Sequence, residues 1–225
     1  MSHAPSDTIT WGMMLRKLPM IAKAIPRVVK GMKVANVTDP TQSCGLGWTF
    51  EQATLRNPDG PALLQGEVSL SYSQVNQWAN RIAHYLSEQG IGKGDVVAVF
   101  IENRPELLVT ILALAKLGAV SALLNTSLTR DTLIHSVNLV APVAIVVGEE
   151  LLPAFAAVRE QVSIVPQRVW FVADQDTYSH PGIAPDGFVN LISASADACS
   201  ENPPSSQQIF FDDPCFYIYT SGTTG

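Results

Sequence analysis

Asp95-Val-Val-Ala-Val-Phe-Ile101 sets six apolar residues in a row behind one aspartate. A strand wetted on one face alternates apolar and polar side chains, whereas a continuous apolar run implies cover on both faces, as in a parallel sheet. The flanking sequence carries the same message. Pro105 suits the first turn of a helix running to Leu117, Gly118 suits its end, and Ala119–Leu124 is another apolar strand. Thr129 is placed to cap a helix over Arg130–Leu139. Val143–Val147 then reads as a strand, Glu149–Arg159 as a helix and Arg168–Val172 as a strand. Strand and helix alternating in this way predict an α/β fold: a mostly parallel sheet with helices on both faces. Leu107–Leu124 is long enough to raise a membrane span. Lys116 and Gly118 interrupt it, and a buried helix feeding a strand is the expected reading.

Upstream, Trp48–Asn57 reads as a short helix, ended by Asn57-Pro-Asp-Gly60. Ala62–Gln65 and Val68–Tyr72 predict a hairpin about Gly66-Glu67. Ser73 is expected to cap a helix from Gln74 to about Glu88, with Val75, Trp78, Ala79, Ile82, Tyr85 and Leu86 buried and Gly90 closing it. Downstream, residues 174–208 are rich in Asp, Ser, Pro, Gly and Ala and predict a long surface connection with at most short structure. Cys215–Tyr219 is a final strand.

The chain has 225 residues, 47% hydrophobic and 15% charged, which implies a substantial core and excludes a disordered polymer. Its net charge of −6 argues against a nucleic-acid-binding protein. The charge is unevenly spread. Arg16, Lys17, Lys23, Arg27, Lys30 and Lys33 lie between Trp11 and Ala35 with no acidic residue among them. In the same stretch Met14, Leu18, Ile21, Ile25, Val28, Val29 and Met32 step at helical spacing, with Pro19 and Pro26 expected to kink or split the helix. A basic amphipathic segment of this kind suits an anionic bilayer surface, and equally packing on the protein's own core. Residues 1–37 are therefore read as a separate segment and 38–225 as the domain. Cys44, Cys199 and Cys215 have no metal-ligand spacing and form no disulfide framework, and no secretory signal is seen. The cytoplasm is the expected compartment, with peripheral contact on the inner face of a membrane through residues 11–35.

The final strand runs into Thr220-Ser-Gly-Thr-Thr-Gly225, a segment of glycine and hydroxyl side chains only. Glycines let a backbone approach a polyanion closely, and N–H and O–H groups donate to phosphate oxygens. The same composition also suits a flexible tail. The segment is neither a P-loop, which needs a Gly-Lys-Ser/Thr ending, nor a Gly-x-Gly-x-x-Gly dinucleotide loop, and Ser221 does not sit in a Gly-x-Ser-x-Gly elbow. His84, His135 and His180 are expected to be structural or solvated, Cys215, Trp78 and Trp170 to be core residues, and the Asp174/Asp176 and Asp212/Asp213 pairs to face solvent. No metal site is expected.

Tyr219-Thr-Ser-Gly-Thr-Thr-Gly225 resembles the phosphate-loop signature of the adenylate-forming, or AMP-binding, superfamily: acyl-CoA synthetases, adenylation domains and luciferases. Leu70-Ser-Tyr-Ser-Gln-Val75 and Lys93-Gly-Asp-Val-Val-Ala98 resemble earlier family segments, so the resemblance reaches back to Trp48. Glu102-Asn-Arg-Pro-Glu106, Ala115-Lys-Leu-Gly-Ala119 and Leu124-Asn-Thr-Ser-Leu-Thr-Arg-Asp131 are similar to the fatty-acid transport protein, or very-long-chain acyl-CoA synthetase, branch. Thr129 departs from it, standing where a basic residue is common. The resemblance implies a ligase joining a fatty acid to coenzyme A with magnesium-ATP, through an acyl-adenylate. It implies that Thr220, Ser221, Gly222, Thr223, Thr224 and Gly225 bind ATP phosphates, and it assigns no catalytic acid, base or nucleophile to this chain. The family's lysine after the loop, its adenine- and ribose-binding segments and its C-terminal domain have no counterpart here. The expected reading is therefore an inactive N-terminal part of such an enzyme, its domain cut at the phosphate loop. Two other readings are a non-catalytic lipid- or membrane-interacting protein and an enzyme adenylating a different carboxylic acid.

Overall fold

The computed structural model describes residues 42–173 and 187–219, together with residues 17–20, 22, 24–26, 28, 29 and 31. The chain divides into two units, Met1–Gln42 and Ser43–Gly225. In the first, the described residues between 17 and 31 are helical, Pro19 and Pro26 included, and Leu18, Met20, Ile25, Val28 and Val29 are exposed.

The second unit opens with α1 (Leu46–Arg56), the hairpin β1 (Pro61–Gln65) and β2 (Val68–Ser71), and α2 (Tyr72–Glu88). β1 and β2 pair antiparallel, and Gly66 takes the positive φ, +55°, that the turn requires. The cap of α2 is Ser71, not Ser73. Its hydroxyl accepts from the Gln74 N–H while the Gln74 side chain accepts from the Ser71 N–H, and this reciprocal box fixes the start two residues earlier than expected.

The sheet follows: β3 (Val96–Phe100), α3 (Pro105–Leu117), β4 (Val120–Leu123), α4 (Arg130–Leu139), β5 (Ala144–Gly148), α5 (Leu152–Ala156), β6 (Val169–Val172), β7 (Val189–Asn190), α6 (Leu191–Ala194) and β8 (Phe216–Ile218). Six strands lie in the order β7-β6-β5-β3-β4-β8, every pair parallel. Successive side chains of the central strands enter two different cores. Val97, Val99, Ala144, Val146 and Trp170 meet α2 and α3 on one face. Ala98, Phe100, Ile145, Val147 and Val169 meet Leu133 and Val137 of α4 and Phe155 of α5 on the other. This is the both-faces-covered sheet that the apolar runs predict.

α3 is buried almost all round, as a helix apolar on every side should be. Pro105 opens it and Gly118, at φ 72°, ends it. It is 13 residues long and gives way to β4, and among the described residues no helix is long and apolar enough to cross a membrane. Thr129 occupies the N-cap of α4, but its side chain makes no capping bond.

Two expectations on the connections are corrected. Glu149–Arg159 is not one helix but a 3-10 turn, the five-residue α5 and a second 3-10 turn. Pro153 withholds a backbone donor just where the helix starts. The 174–208 stretch is no plain surface connection either. Leu191, Ser195 and Ser206 are buried, and Pro204–Gln208 is a 3-10 helix against α3 and α1. Residues 174–186, with Asp174, Asp176 and His180, lie outside the described residues.

Leu114 is fully buried on α3 in the core that joins α2 to the sheet. Leu114→Ala is expected to cost about 2–5 kcal/mol, read as a lowered urea midpoint with an unchanged slope.

Candidate active site at the carboxyl edge

Ligands of open α/β sheets sit outside the carboxyl ends of the strands, most often where successive connections diverge to opposite faces. Here β3 leads through α3 to β4 on one side, and β5 leads through α5 to β6 on the other. The divergence falls between β3 and β5. That crevice is filled by charge. The Arg104 side chain, 8% exposed, lies 3.0 Å from Glu106 and 3.0 Å from Glu150. It also donates to the Val172 and Ala173 carbonyls at 3.0 and 2.8 Å, and the Glu102 N–H donates to Glu150 at 2.7 Å. One guanidinium thus ties together the carboxyl ends of β3, β5 and β6. An apolar cleft of about 440 Å³ lies beside it, between Leu63 and Leu64 of the hairpin and Leu107, Leu108 and Ile111 of α3. Arg104 lines this cleft, but its donors are already committed to two carboxylates and two carbonyls, so it offers no anchor for an anion.

The other carboxyl end is that of β8, which leads into Thr220–Gly225, the segment expected to bind phosphate. β8 is the sheet edge, pairs with β4 from Phe216 to Ile218, and is exposed at all three residues. Tyr219 follows, its phenol donating to the Ser136 carbonyl of α4 at 2.7 Å, and burial pushes its pKa up. Thr220, Ser221, Gly222, Thr223, Thr224 and Gly225 all lie outside the described residues. Their geometry is therefore not part of this site; the strand that delivers them is.

The approach to β8 is tied down along its length. Ser43 bridges to Phe210, the Cys44 N–H donates to the Ile209 carbonyl at 3.2 Å, and Lys93 donates to the Gln208 carbonyl at 2.9 Å. Asp213, expected to face solvent, is an ion-pair partner instead: it lies 2.5 Å from Lys93 and accepts from the Phe210 N–H at 2.7 Å. Burial works to raise its pKa; the Lys93 ammonium and the Phe210 N–H outweigh this and hold the carboxyl below the usual carboxylate range. Cys215 is half-buried with its thiol pKa raised by burial, so it is not poised as a nucleophile. Trp170 is a core residue and Trp78 packs on the core edge. His84 meets the Glu201 carbonyl at 3.0 Å, and His135 is exposed. Among the described residues no cluster of His, Cys, Asp and Glu is placed to hold a metal ion.

Comparison with known proteins decides the family. The model for the AMP-binding enzyme family, described as "AMP-binding enzyme", matches residues 50–225. The chain belongs to the AMP-binding enzyme family. It is 28% identical over 209 residues to the medium/long-chain-fatty-acid–CoA ligase FadD6 of Mycobacterium tuberculosis, covering 93% of this chain and 32% of that one. It is 36% identical over 168 residues to the long-chain fatty acid transport protein 6 of Mus musculus, covering 72% of this chain and 25% of that one. Both kinds of relative fit the resemblance read from the sequence. Among solved structures, the inhibitor-bound N-terminal domain of FACL13 from Mycobacterium tuberculosis matches with a TM-score of 0.65 and 26% identity, over 80% of this chain and 42% of that one. The anthranilate CoA ligase AuaEII shares the fold, with a TM-score of 0.71 at 19% identity over 82% of this chain and 33% of that one. The AMP-binding chain thus spans between a quarter and a third of the length of these curated relatives.

Sequence reading missed the Arg104 cluster. Glu102, Arg104 and Glu106 were noticed as a family-like segment, but their partner Glu150 lies 46 residues on, a distance no periodicity encodes. Replacing Arg104 by Met leaves the buried Glu106 and the half-buried Glu150 carboxylates without their cation. The loss is expected to be about 3–5 kcal/mol by chemical denaturation, partly recovered when Glu106→Leu removes one stranded charge.

Proposed function

We propose that this AMP-binding chain is the N-terminal part of a fatty acid–CoA ligase acting on long-chain or very-long-chain acids. The observation that carries the reading is the family match over residues 50–225, which ends on the segment that β8 carries out of the carboxyl edge of the sheet. The relatives named for medium- and long-chain ligation and for long-chain fatty acid transport support the acid class. In the proposed reaction a fatty-acid carboxylate oxygen attacks the α-phosphorus of magnesium-ATP and pyrophosphate leaves. The coenzyme A sulfur then attacks the acyl carbon and AMP leaves. Phosphoryl chemistry of this kind asks the protein for position and charge neutralisation more than for covalent help. The hydroxyls of Thr220, Ser221, Thr223 and Thr224 and the N–H groups of Gly222 and Gly225 hold the β- and γ-phosphates in this proposal. Residues 38–225 form an incomplete AMP-binding domain and do not complete the reaction alone. A polypeptide carrying the whole family domain is expected to show pyrophosphate exchange with palmitate and longer acids, and little with benzoate or amino acids. Purified residues 1–225 are expected to show no acyl-CoA formation. Turnover by the 225-residue chain, or exchange with aryl or amino acids in place of fatty acids, would reject the reading.

A second reading concerns residues 11–35, and the exposure of Leu18, Ile25, Val28 and Val29 on a helix favours it. This segment lies on the anionic inner face of a membrane, its apolar stripe in the acyl boundary and its six basic residues toward the headgroups. The rest of the protein stays in the cytoplasm. Co-sedimentation with phosphatidylserine vesicles is expected to fall at least tenfold on deletion of residues 1–37 and to weaken with added salt. Equal binding of the intact and shortened chains would remove the idea.

A further inference from the structure

Lys116 is fully buried, in the last turn of α3, and the chemistry proposed above makes no use of it. Its ammonium lies 2.5 Å from Glu51 of α1. Burial pushes its pKa below the usual lysine value, against the hydrogen bond and charge of Glu51. The two helices reach this contact because residue 47 is glycine: a Cβ there would stand 2.7–2.9 Å from Lys116 atoms, two of them backbone. A buried ion pair between two helices is in itself an ordinary core feature, and weak evidence for anything more. What surrounds this one points further.

The further hydrogen bonds of the two residues run to one segment, Asn202–Ser206. The Lys116 ammonium reaches Asn202 Oδ1 at 3.4 Å, and the Lys116 carbonyl accepts from the Ser205 hydroxyl at 2.8 Å. The second Glu51 oxygen accepts from the buried Ser206 hydroxyl at 3.0 Å. Asn76 and Asn80 of α2 donate to the same Asn202 oxygen at 2.8 and 3.0 Å, and Asn80 also to the Ser200 carbonyl at 2.7 Å. From Gln208 the ties described above continue through Ile209, Phe210 and Asp213 to Cys215, whose carbonyl accepts from the Ser121 N–H at 3.0 Å. β8 comes next, with three exposed residues, so burial of its own side chains does little to place it. Its position rests on the ladder to β4 and on this anchored approach.

We propose that the Lys116–Glu51 pair is a positioning element for the strand that leads into the phosphate segment: it fixes Asn202–Ser206 and, through the tethered run to Tyr219, sets the position of β8. The inference rests on the nucleotide reading of that segment, and two separate measurements distinguish their failures. The first is hydrogen exchange, followed by mass spectrometry on the intact 225-residue chain. Lys116→Met alone strands a buried carboxylate and risks unfolding, so the decisive variant is Lys116→Met/Glu51→Leu, which removes both charges together with their ties to Asn202 and Ser206. In this double variant, peptides within 202–219 are expected to exchange at least tenfold faster, while peptides of β3, β5 and β6 keep their wild-type rates. Ser206→Ala, which removes a single tie, should give about a fivefold local effect. Equal acceleration everywhere, or none in 202–219, overturns the proposal and leaves a plain core pair. The second measurement is magnesium-ATP binding by calorimetry, made on a polypeptide carrying the whole family domain with and without the same double substitution. If the wild-type chain binds and the double variant binds at least tenfold more weakly, the positioning role holds; equal binding overturns it. If the wild-type chain binds no ATP, the nucleotide reading of this chain fails, and the exchange experiment alone decides whether the pair anchors β8.

Discussion

Burial of β3 and β5 on both faces is the constraint from which the rest of the domain follows. Val97 and Val99 point into one core, Ala98 and Phe100 into the other, and β5 repeats the pattern with Val146 and Val147. A strand wet on neither face must have helices above and below it. In a parallel sheet the crossovers supply them. α3 covers one face and α4 the other, so the chain must diverge between β3 and β5, and the carboxyl ends of those strands open a crevice. Hydrophobic burial therefore dictates where the carboxyl-side crevice forms.

In this protein that crevice is closed by Arg104, Glu106 and Glu150. Charges of opposite sign, nearly out of water, are tolerable there because the remaining donors of the guanidinium find the Val172 and Ala173 carbonyls. The arrangement fills the default ligand position with charge, and the centre of the sheet is given over to stability. β8, the strand that leads into Thr220–Gly225, lies instead at the edge of the sheet and is exposed. An exposed strand gains little from burial, which places a correspondingly greater demand on polar anchoring in the residues that precede it.

The elements legible in the sequence were those governed by local rules. Continuous apolar runs gave the parallel strands, Pro105 and Gly118 bounded α3, and Gly66 marked the hairpin. Boundaries set by competition between neighbours were less legible. Both Ser71 and Ser73 can cap, and only the reciprocal bond from Gln74 selects Ser71. The 149–159 stretch has helical composition, yet Pro153 and the recruitment of Glu150 by Arg104 break it into short turns. The phosphate segment was recognised by family resemblance, its geometry lying beyond the described residues. Least legible was Asn202–Gln208, because its composition is that of a loop. Only Pro203 and Ser206 of it are buried, and its place is set by hydrogen bonds to Lys116 and Glu51, far away in the chain; a list of residues does not show which polar groups will meet.

Lys116 shows how the same residue carries different information at the two levels. In the sequence a lysine inside the apolar run 107–124 argues only against a membrane span. In the fold it is fully buried, and a buried cation demands a partner as strictly as an unpaired backbone group does. That demand draws Glu51 inward, requires glycine at 47 for the helices to approach, and leaves Glu51 Oε2 and the Lys116 carbonyl to be satisfied by the hydroxyls of Ser206 and Ser205. A hydrophobic pair of equal volume would join α1 to α3 as firmly, but it would have no bonds to offer a polar segment. The charge is what allows a loop-like stretch to be held in a definite place against α1 and α3.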